Sequence, residues 1–312
     1  MNKNLCSFFL ISIFILSNSN VLGQANLLNA RVPQDVGQLN EKQVKANDEE
    51  PLAYGFIDDR DVLWSKTIWE LIDLNERLNF PLYYPEEPGN LGEERKSLFD
   101  VIMTGIKDGQ IKEIYTNDGG YFKQKMTYAE ILQSTSRKFY LDEYNNLVNQ
   151  GVTDPEVLKP YIAEPELKSQ DVLQYRIKGT WYFDKRQGEM KYRLLGIAPC
   201  ARDIETKDPN KVDDYTQEEK DETYPLFWVW YPDARDVLNK ANVFNTRNSS
   251  QPITFDHILN SRRFNATIYK EENVYQDREI TNYIQKDALQ QLLESERIKN
   301  VIRDFEQDMW NN

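Results

Sequence analysis

Two stretches of alternating polar and apolar residues, joined by a short turn, constrain the fold of this chain more than any other feature. Residues 175–183 alternate and are rich in aromatic side chains, and residues 191–197 return with a similar pattern. The segment between them, 184–188, holds Asp and Gly residues that favour turns. Alternation every second residue gives each strand one apolar face, so the pattern predicts a β-hairpin within an antiparallel sheet.

Helices are predicted on both sides of this hairpin, so the fold class is α+β. Asp61 is expected to cap a helix whose apolar residues are spaced three and four apart: Leu63, Trp64, Ile68, Leu71, Ile72 and Leu78. Pro81 would end that helix, with a short strand at 82–84. Further helices are predicted at 98–106, over most of 127–150, and at 287–309, where six apolar residues are expected on one face: Leu289, Leu292, Leu293, Ile298, Ile302 and Phe305. A strand is predicted at 111–116, followed by a turn at Asp118-Gly119-Gly120. Another strand is predicted at 226–231 and is stopped by Pro232.

The chain divides into two small mixed halves at a proline-punctuated connector. The first half covers residues 54–150, the connector 151–170, and the second half 171–312 with its C-terminal helix. Four matches recur at a constant offset of 154 residues, as in Ile114-Tyr115 and Ile268-Tyr269. The pattern is consistent with a degenerate internal duplication or with chance.

The first residues resemble a cleavable export signal. Lys3 is the only charged residue among residues 1–23, and an apolar run follows at 5–16. This run is shorter than the roughly 20 residues that a membrane-spanning helix needs. We expect residues 1–23 to be a signal peptide and residues 24–53 a flexible arm. Cys6 precedes the end of the apolar run, so lipidation there is not expected.

Charge and cysteine usage narrow the range of expected partners and covalent links. The formal net charge is −13, and it becomes −14 if Lys3 is removed with the signal. Such acidity argues against a nucleic-acid partner, which requires basic residues for phosphates. Cys200 is the only cysteine after residue 23, so no intramolecular disulfide is expected. Its apolar surroundings predict a buried, inert thiol.

No arrangement of residues predicts catalysis, a metal site or a cofactor. His257 is the only histidine, and the apolar pattern around it predicts a position on a helix surface or at the edge of the core. One histidine and one cysteine are too few for an ordinary zinc site. The acids Asp58, Asp59 and Asp61 are explained by helix capping. The charged insert at 203–223 is expected to be a solvated loop.

The aromatic residues are better candidates for partner binding, since Trp and Tyr are enriched at interfaces. Trp310, near the end of the last predicted helix, is the first candidate for an anchor in a partner. Trp230, Tyr231 and Trp64 are further candidates. The alternative is that these side chains pack within their own fold.

Several short stretches resemble the gliding motility-associated protein family GldN, also called PorN. They are YGFIDDRDVLWSK at 54–66, LYYP at 82–85, GIAP at 196–199 and FWVWYP at 227–232. The resemblance extends from about residue 50 to 308. These motifs are specific to the family and name no chemistry.

The resemblance implies a structural subunit of the type IX secretion system of Bacteroidetes, located in the periplasm and not an enzyme. It implies a ring beneath the outer membrane, formed with the lipoprotein GldK/PorK, and a link to the periplasmic part of the motor subunit GldM/PorM. No catalytic residue or cofactor is implied. A carbohydrate-active enzyme with paired carboxylates, or a cell-wall-binding module, remains the alternative from the residues alone.

Overall fold

A computed structural model describes residues 51, 54–86, 95–211, 215–216, 222–243, 253–285 and 287–310. Its strands are β1 (Val62–Asp73), β2 (Ile114–Tyr115), β3 (Phe139–Tyr140), β4 (Ile162–Ala163), β5 (Val172–Asp184), β6 (Glu189–Arg202), β7 (Thr223–Pro225), β8 (Trp228–Trp230), β9 (Asn242–Val243), β10 (Ile253–Thr254) and β11 (Thr267–Glu271). Its helices are α1 (Phe80–Tyr83), α2 (Leu98–Lys107), α3 (Tyr128–Thr135), α4 (Asp142–Asn149), α5 (Pro155–Leu158), α6 (Tyr231–Lys240), α7 (Phe255–Asn260), α8 (Ile280–Tyr283) and α9 (Ala288–Trp310). These elements confirm the α+β class.

The predicted hairpin is confirmed as β5 and β6, which lie at the centre of the largest sheet. The strand order is β11-β1-β5-β6-β8-β2, with β7 also paired to β6, and these pairs are antiparallel. Strands from both predicted halves therefore share one sheet. The connector at 151–170 as a boundary and the internal duplication stay predictions; the matched pairs Ile114-Tyr115 and Ile268-Tyr269 lie in the two outermost strands, β2 and β11.

The helix predicted after Asp61 is wrong, because residues 62–73 form the long strand β1. Asp58, not Asp61, caps the short 3-10 turn that precedes it, accepting a hydrogen bond from the Arg60 backbone N–H. β1 pairs with β5 on one side and β11 on the other, and Ile68, Trp69 and Glu70 are all buried. A strand covered on both faces loses the alternation that reveals a strand in sequence, and its apolar spacing then imitates a helix.

Two prolines begin helices at places where the sequence predicted them to end an element. Pro81 lies in the first turn of α1, so the strand predicted at 82–84 is wrong. Pro232 lies in the first turn of α6, although β8 does end immediately before it at Trp230. Proline lacks a backbone N–H, and the first turn of a helix leaves its N–H groups without partners in any case. The helix predicted over 127–150 is also interrupted, by β3.

The two faces of the sheet are covered by different structures. Ile72, Ile177 and Ile197 point toward helices α2, α6 and α7 and belong to the main core. Trp69, Ala198 and Trp228 point the opposite way, because each is an odd number of residues from a core residue in its own strand. They form a smaller aromatic cluster with Tyr115, Phe122 and Tyr269.

Cys200 is buried as predicted, and burial raises its thiol pKa to about 12.

A buried polar network joins α6 and α7 beneath the sheet. The Asp256 carboxylate accepts hydrogen bonds from the Arg235 Nε and Nη2 at 2.9 and 3.0 Å. It also accepts from the Tyr231 hydroxyl at 2.8 Å and from the Asn260 amide at 2.8 Å. Tyr54 extends the network by donating to Asn260 Oδ1 at 2.8 Å. Each charge is thus paired inside the fold, as buried charges must be.

Buried tyrosines predict a loss of stability at alkaline pH. Burial raises the pKa of Tyr175, Tyr192 and Tyr231 well above the ordinary value of 10.0. In the unfolded chain these phenols ionise near their ordinary pKa, so the stability they contribute is complete below that pH and is lost as the pH rises through the folded-state values. We expect their ionisation, followed by ultraviolet absorbance, to coincide with loss of the circular dichroism signal. Ionisation of all 18 tyrosines while the chain stays folded would contradict this.

Candidate functional site

Trp64 packs against its own chain. Its ring stacks on Phe305 of α9, with the ring centroids 4.7 Å apart and 16° between the planes. The side chain is half-buried next to the cluster that fixes α9 to the sheet. Its first role is therefore to hold the C-terminal helix, and Trp64 as a partner-binding residue stays a prediction. The Trp310 side chain, the first candidate for an anchor, lies outside the described residues.

Trp230 and Tyr231 are neighbours in sequence but point to opposite faces of the sheet. Trp230 is half-buried and meets Phe122 edge to face, with ring centroids 4.9 Å apart. Tyr231 is completely buried, and its hydroxyl donates to Asp256. The Tyr231 side chain is enclosed between helices of its own fold and its polar group is already bound, so Tyr231 as a partner-binding residue stays a prediction to which the fold offers no exposed surface.

The C-terminal helix is confirmed as α9, but its six apolar residues do not share one face. Nine residues separate Leu289 from Ile298, which is about two and a half turns and places them on opposite sides. Ile298 and Ile302 are buried against Ile268 and Ile280. The leucines of the first turns are exposed, with 66% of Leu289, 48% of Leu292 and 60% of Leu293 accessible. We call these three residues the leucine surface.

A second exposed apolar surface surrounds α1. It consists of Leu78, Phe80 and Tyr84, with 60% of Leu78 accessible, and the rings of Phe80 and Tyr84 meet edge to face. We call it the α1 surface. Asn79 binds the backbone of Asn265, just before β11, on this side.

The leucine surface lies away from the α1 surface along α9. Lys299 of α9 donates to the carbonyl of Ala266, one residue before β11, close to the Asn265 backbone that Asn79 binds. Leu289 lies ten residues earlier in the helix, about 15 Å along its axis.

On the other face of the sheet, two lysines flank Trp69. We call Trp69, Tyr121, Phe122, Lys178 and Lys270 the lysine–tryptophan cluster. The Nζ atoms of Lys178 and Lys270 lie 4.7 and 4.4 Å from the Trp69 ring centroid. The β1 register explains this arrangement, because Trp69 is directly opposite Lys178 of β5 and Lys270 of β11.

The loop between β2 and α3, residues 116–127, covers this cluster, and its conformation is set by Asp118. The Asp118 carboxylate accepts hydrogen bonds from four consecutive backbone N–H groups, those of residues 120–123. Gly119 and Gly120 adopt φ of 76° and 79°, which favours glycine and confirms the turn predicted there. Their carbonyls accept hydrogen bonds from Trp69 Nε1 and Lys178 Nζ, both at 2.9 Å. The loop is thereby fixed to the sheet.

The acidic side chains that could have suggested catalysis do not point together into one site. Asp58 caps a turn, and Asp61 lies near Arg186 at its edge. In the residues that the structure describes, no three His, Cys, Asp or Glu side chains are close enough to hold a metal ion. His257 is exposed on α7, which agrees with the predicted helix-surface position. Much of the charged insert, 212–214 and 217–221, lies outside the described residues.

Sequence reasoning missed the lysine–tryptophan cluster. Lys178 and Lys270 lie in strands about ninety residues apart, and only their common neighbour Trp69 brings them together. Since residues 62–73 were predicted as a helix, no pairing of Trp69 with either lysine could be expected. Only a correct prediction of β1 as a central strand would have placed Trp69 beside the two lysines.

Comparison with known proteins supplies an independent result. A family model described as "Gliding motility associated protein GldN" matches residues 57–311, which is most of the chain. No curated protein matches the chain. None of the helices in the described part of the chain combines the length and the apolar content that a membrane span requires.

Proposed function

Because the chain belongs to the GldN family of gliding motility and type IX secretion components, we propose that it is a periplasmic structural subunit that assembles with an outer-membrane lipoprotein of the GldK/PorK type into a ring. The predicted signal peptide supports the periplasmic location. A link to the periplasmic part of the motor subunit GldM/PorM is part of the same proposal. Fractionation of cells, followed by detection of the protein, tests the location.

The leucine surface is the observation that carries the assembly role. Three leucines at positions i, i+3 and i+4 of a well-formed helix form a continuous apolar stripe. Single exposed apolar residues are ordinary, but a cluster of large ones marks a contact surface. The opposite side of the helix is fixed by Ile298 and by Ser295, whose hydroxyl accepts from the Ile268 backbone N–H at 2.9 Å. The stripe is therefore presented rigidly, without the cost of ordering a loop on binding.

A ring requires two different contact surfaces on each subunit, since a head-to-tail contact closes only when unlike surfaces meet. The α1 surface supplies a second one, separated from the leucine surface along the β11 edge of the sheet. We assign the leucine surface to the lipoprotein partner and the α1 surface to the neighbouring subunit in the ring. The acidic net charge of the chain favours partners whose surfaces are basic around the apolar contact.

Replacing Leu289, Leu292 and Leu293 together by serine tests the first assignment. We expect affinity for the lipoprotein to fall by about 30-fold or more, because buried apolar side chains carry most of the energy of an interface. The free energy of unfolding is expected to change by less than about 0.5 kcal/mol per residue, since the leucines are exposed. Co-purification with the lipoprotein and thermal unfolding measure the two effects.

A matched control is Val148→Ser on α4, which removes an exposed apolar residue outside both surfaces. This variant should bind like the unmodified chain. Leu78→Ser in the α1 surface should preserve lipoprotein binding and reduce ring formation seen by electron microscopy. Undiminished lipoprotein binding by a folded triple-serine variant would refute the role of the leucine surface.

A further inference from the structure

The two ammonium groups of the lysine–tryptophan cluster are incompletely satisfied. An ammonium carries three N–H donors. Lys178 donates to the Gly120 carbonyl at 2.9 Å, and Lys270 donates to the Tyr121 hydroxyl at 3.0 Å. Each therefore has donor capacity beyond these bonds. In the described ranges of the chain, no carboxylate oxygen lies within ion-pair distance of either nitrogen.

Burial makes this arrangement unusual for lysine. Only 7% of the Lys270 side chain is accessible, and Lys178 is half-buried. Buried ammonium groups ordinarily have an anionic partner, because losing their hydration costs several kcal/mol. Burial lowers the pKa of both lysines, and the charge of Lys270 lowers the pKa of Lys178 further. The rings of Trp69 and Tyr121 offset part of the cost through cation–π contacts.

Both lysines share the same two rings, which places them near each other. Besides their contacts with Trp69, their Nζ atoms lie 5.3 and 4.6 Å from the Tyr121 ring centroid. Tyr121 is 37% accessible, so the cluster has an edge that solvent and ligands can reach. A small group entering beside Tyr121 meets two positive charges and an apolar indole.

We propose that Lys178 and Lys270 together bind one carboxylate group. A carboxylate offers two oxygens with several acceptor positions, so it can accept hydrogen bonds from both ammonium groups at once. A singly charged group fits better than a phosphate dianion because Asp118 and Asp277 are close by. Asp277 accepts from the Tyr121 hydroxyl at 2.9 Å, and Asp118 holds the covering loop. Their negative charges would repel a second charge on the ligand.

The carboxylate could belong to a small organic acid or to a partner protein, as an Asp or Glu side chain or a chain terminus. The chemistry recognised is the same in each case. The site lies on the sheet face opposite the main core and shares no residue with the leucine surface or the α1 surface. A negative result for this site would therefore not affect the proposed assembly role, and a negative result for the assembly role would not affect this site.

Acetate and acetamide form a matched pair of probes, since they have the same shape and differ in charge. Acetate, titrated into the full chain against chloride at equal ionic strength, should raise the pKa of both lysines in a saturable manner. Nuclear magnetic resonance of the lysine side chains measures this directly, and acetamide should have no effect. Equal responses to acetate and chloride would overturn the proposal.

Substitutions localise the response. Lys178→Gln and Lys270→Gln should each weaken acetate binding by about tenfold, the effect of losing one charge-assisted hydrogen bond. Lys123→Gln is the control, because Lys123 also lies over the Tyr121 ring, at 5.2 Å, but is exposed and outside the pair. It should bind acetate normally. Unchanged binding in both folded Gln variants would also overturn the site.

A blocked peptide with one free C-terminal carboxylate, compared with its amide, distinguishes the source of the ligand. Saturable binding of the peptide acid, but not of its amide, supports a partner protein as the source. Binding of acetate when neither form of the peptide binds supports a small organic acid. In both cases the carboxylate site itself is supported.

Discussion

Replacing Asp256 with alanine is expected to lower the free energy of unfolding by about 3–5 kcal/mol. The loss arises because Arg235 would keep its charge in a buried position without a counter-ion. The Tyr231 hydroxyl and the Asn260 amide would lose the same acceptor. Denaturant unfolding, followed by circular dichroism, measures the change.

The design of this experiment separates the buried pair from the helix on which it lies. Asp236→Ala is the control, because Asp236 is an exposed aspartate on α6, one residue from Arg235. It should change stability by less than about 0.5 kcal/mol. Arg235→Met combined with Asp256→Leu should be more stable than Asp256→Ala alone, since it leaves no isolated charge. A loss below about 1 kcal/mol for Asp256→Ala would contradict the network as described.

Gly196→Ala is expected to displace the loop that covers the lysine–tryptophan cluster. A Cβ atom at Gly196 would lie 2.4 Å from the ζ carbon of the Phe122 ring and 3.3 Å from Trp228. Phe122 is itself held at φ 56° among Tyr115, Trp228 and Trp230, so the ring has little freedom to move aside. We expect a loss of about 1–3 kcal/mol, typical of overpacking.

Hydrogen exchange provides the specific measurement for this variant. Amides of residues 120–123, which donate to Asp118, should exchange faster in Gly196→Ala, while those of β5 should not. Phe122→Leu should compensate in part, so that the double variant loses less than the sum of the two single losses. Gly55→Ala is the control, since its added Cβ would meet no atom within 4 Å. Unchanged exchange in the loop would show that Gly196 does not set its position.

Local patterns in the sequence predicted the elements that depend on nearby residues. The hairpin of β5 and β6 alternates because its outer parts are covered mainly on one face, and a tight turn joins its strands. α2 begins at the Ser97 cap, and Ser97 Oγ accepts from the Asp100 backbone N–H at 3.1 Å. Asp118-Gly119-Gly120 forms the predicted turn because glycine tolerates positive φ. These signals act over a few residues and do not require knowledge of the rest of the fold.

The candidate surfaces were harder to predict because they depend on which face of an element is covered. α9 was expected to bury six apolar residues together, but the 3.6-residue repeat of a helix places the three leucines on the side opposite Ile298. Tyr231 was expected at an interface, although its hydroxyl completes a network with α7. Aromatic content alone cannot distinguish a residue that stabilises its own fold from one that contacts a partner.

Local sequence patterns were enough to predict the α+β class, the central hairpin, the buried Cys200 and the resemblance to the GldN family. The strand at residues 62–73 emerges from the assembled fold alone, because pairing on both edges and burial on both faces outweighed their helix-like spacing. Strand β1 also determines which residues meet in the lysine–tryptophan cluster. Trp69 acquires Lys178 and Lys270 as neighbours through backbone pairing with β5 and β11, and contacts over such separations leave no periodic signal in the chain.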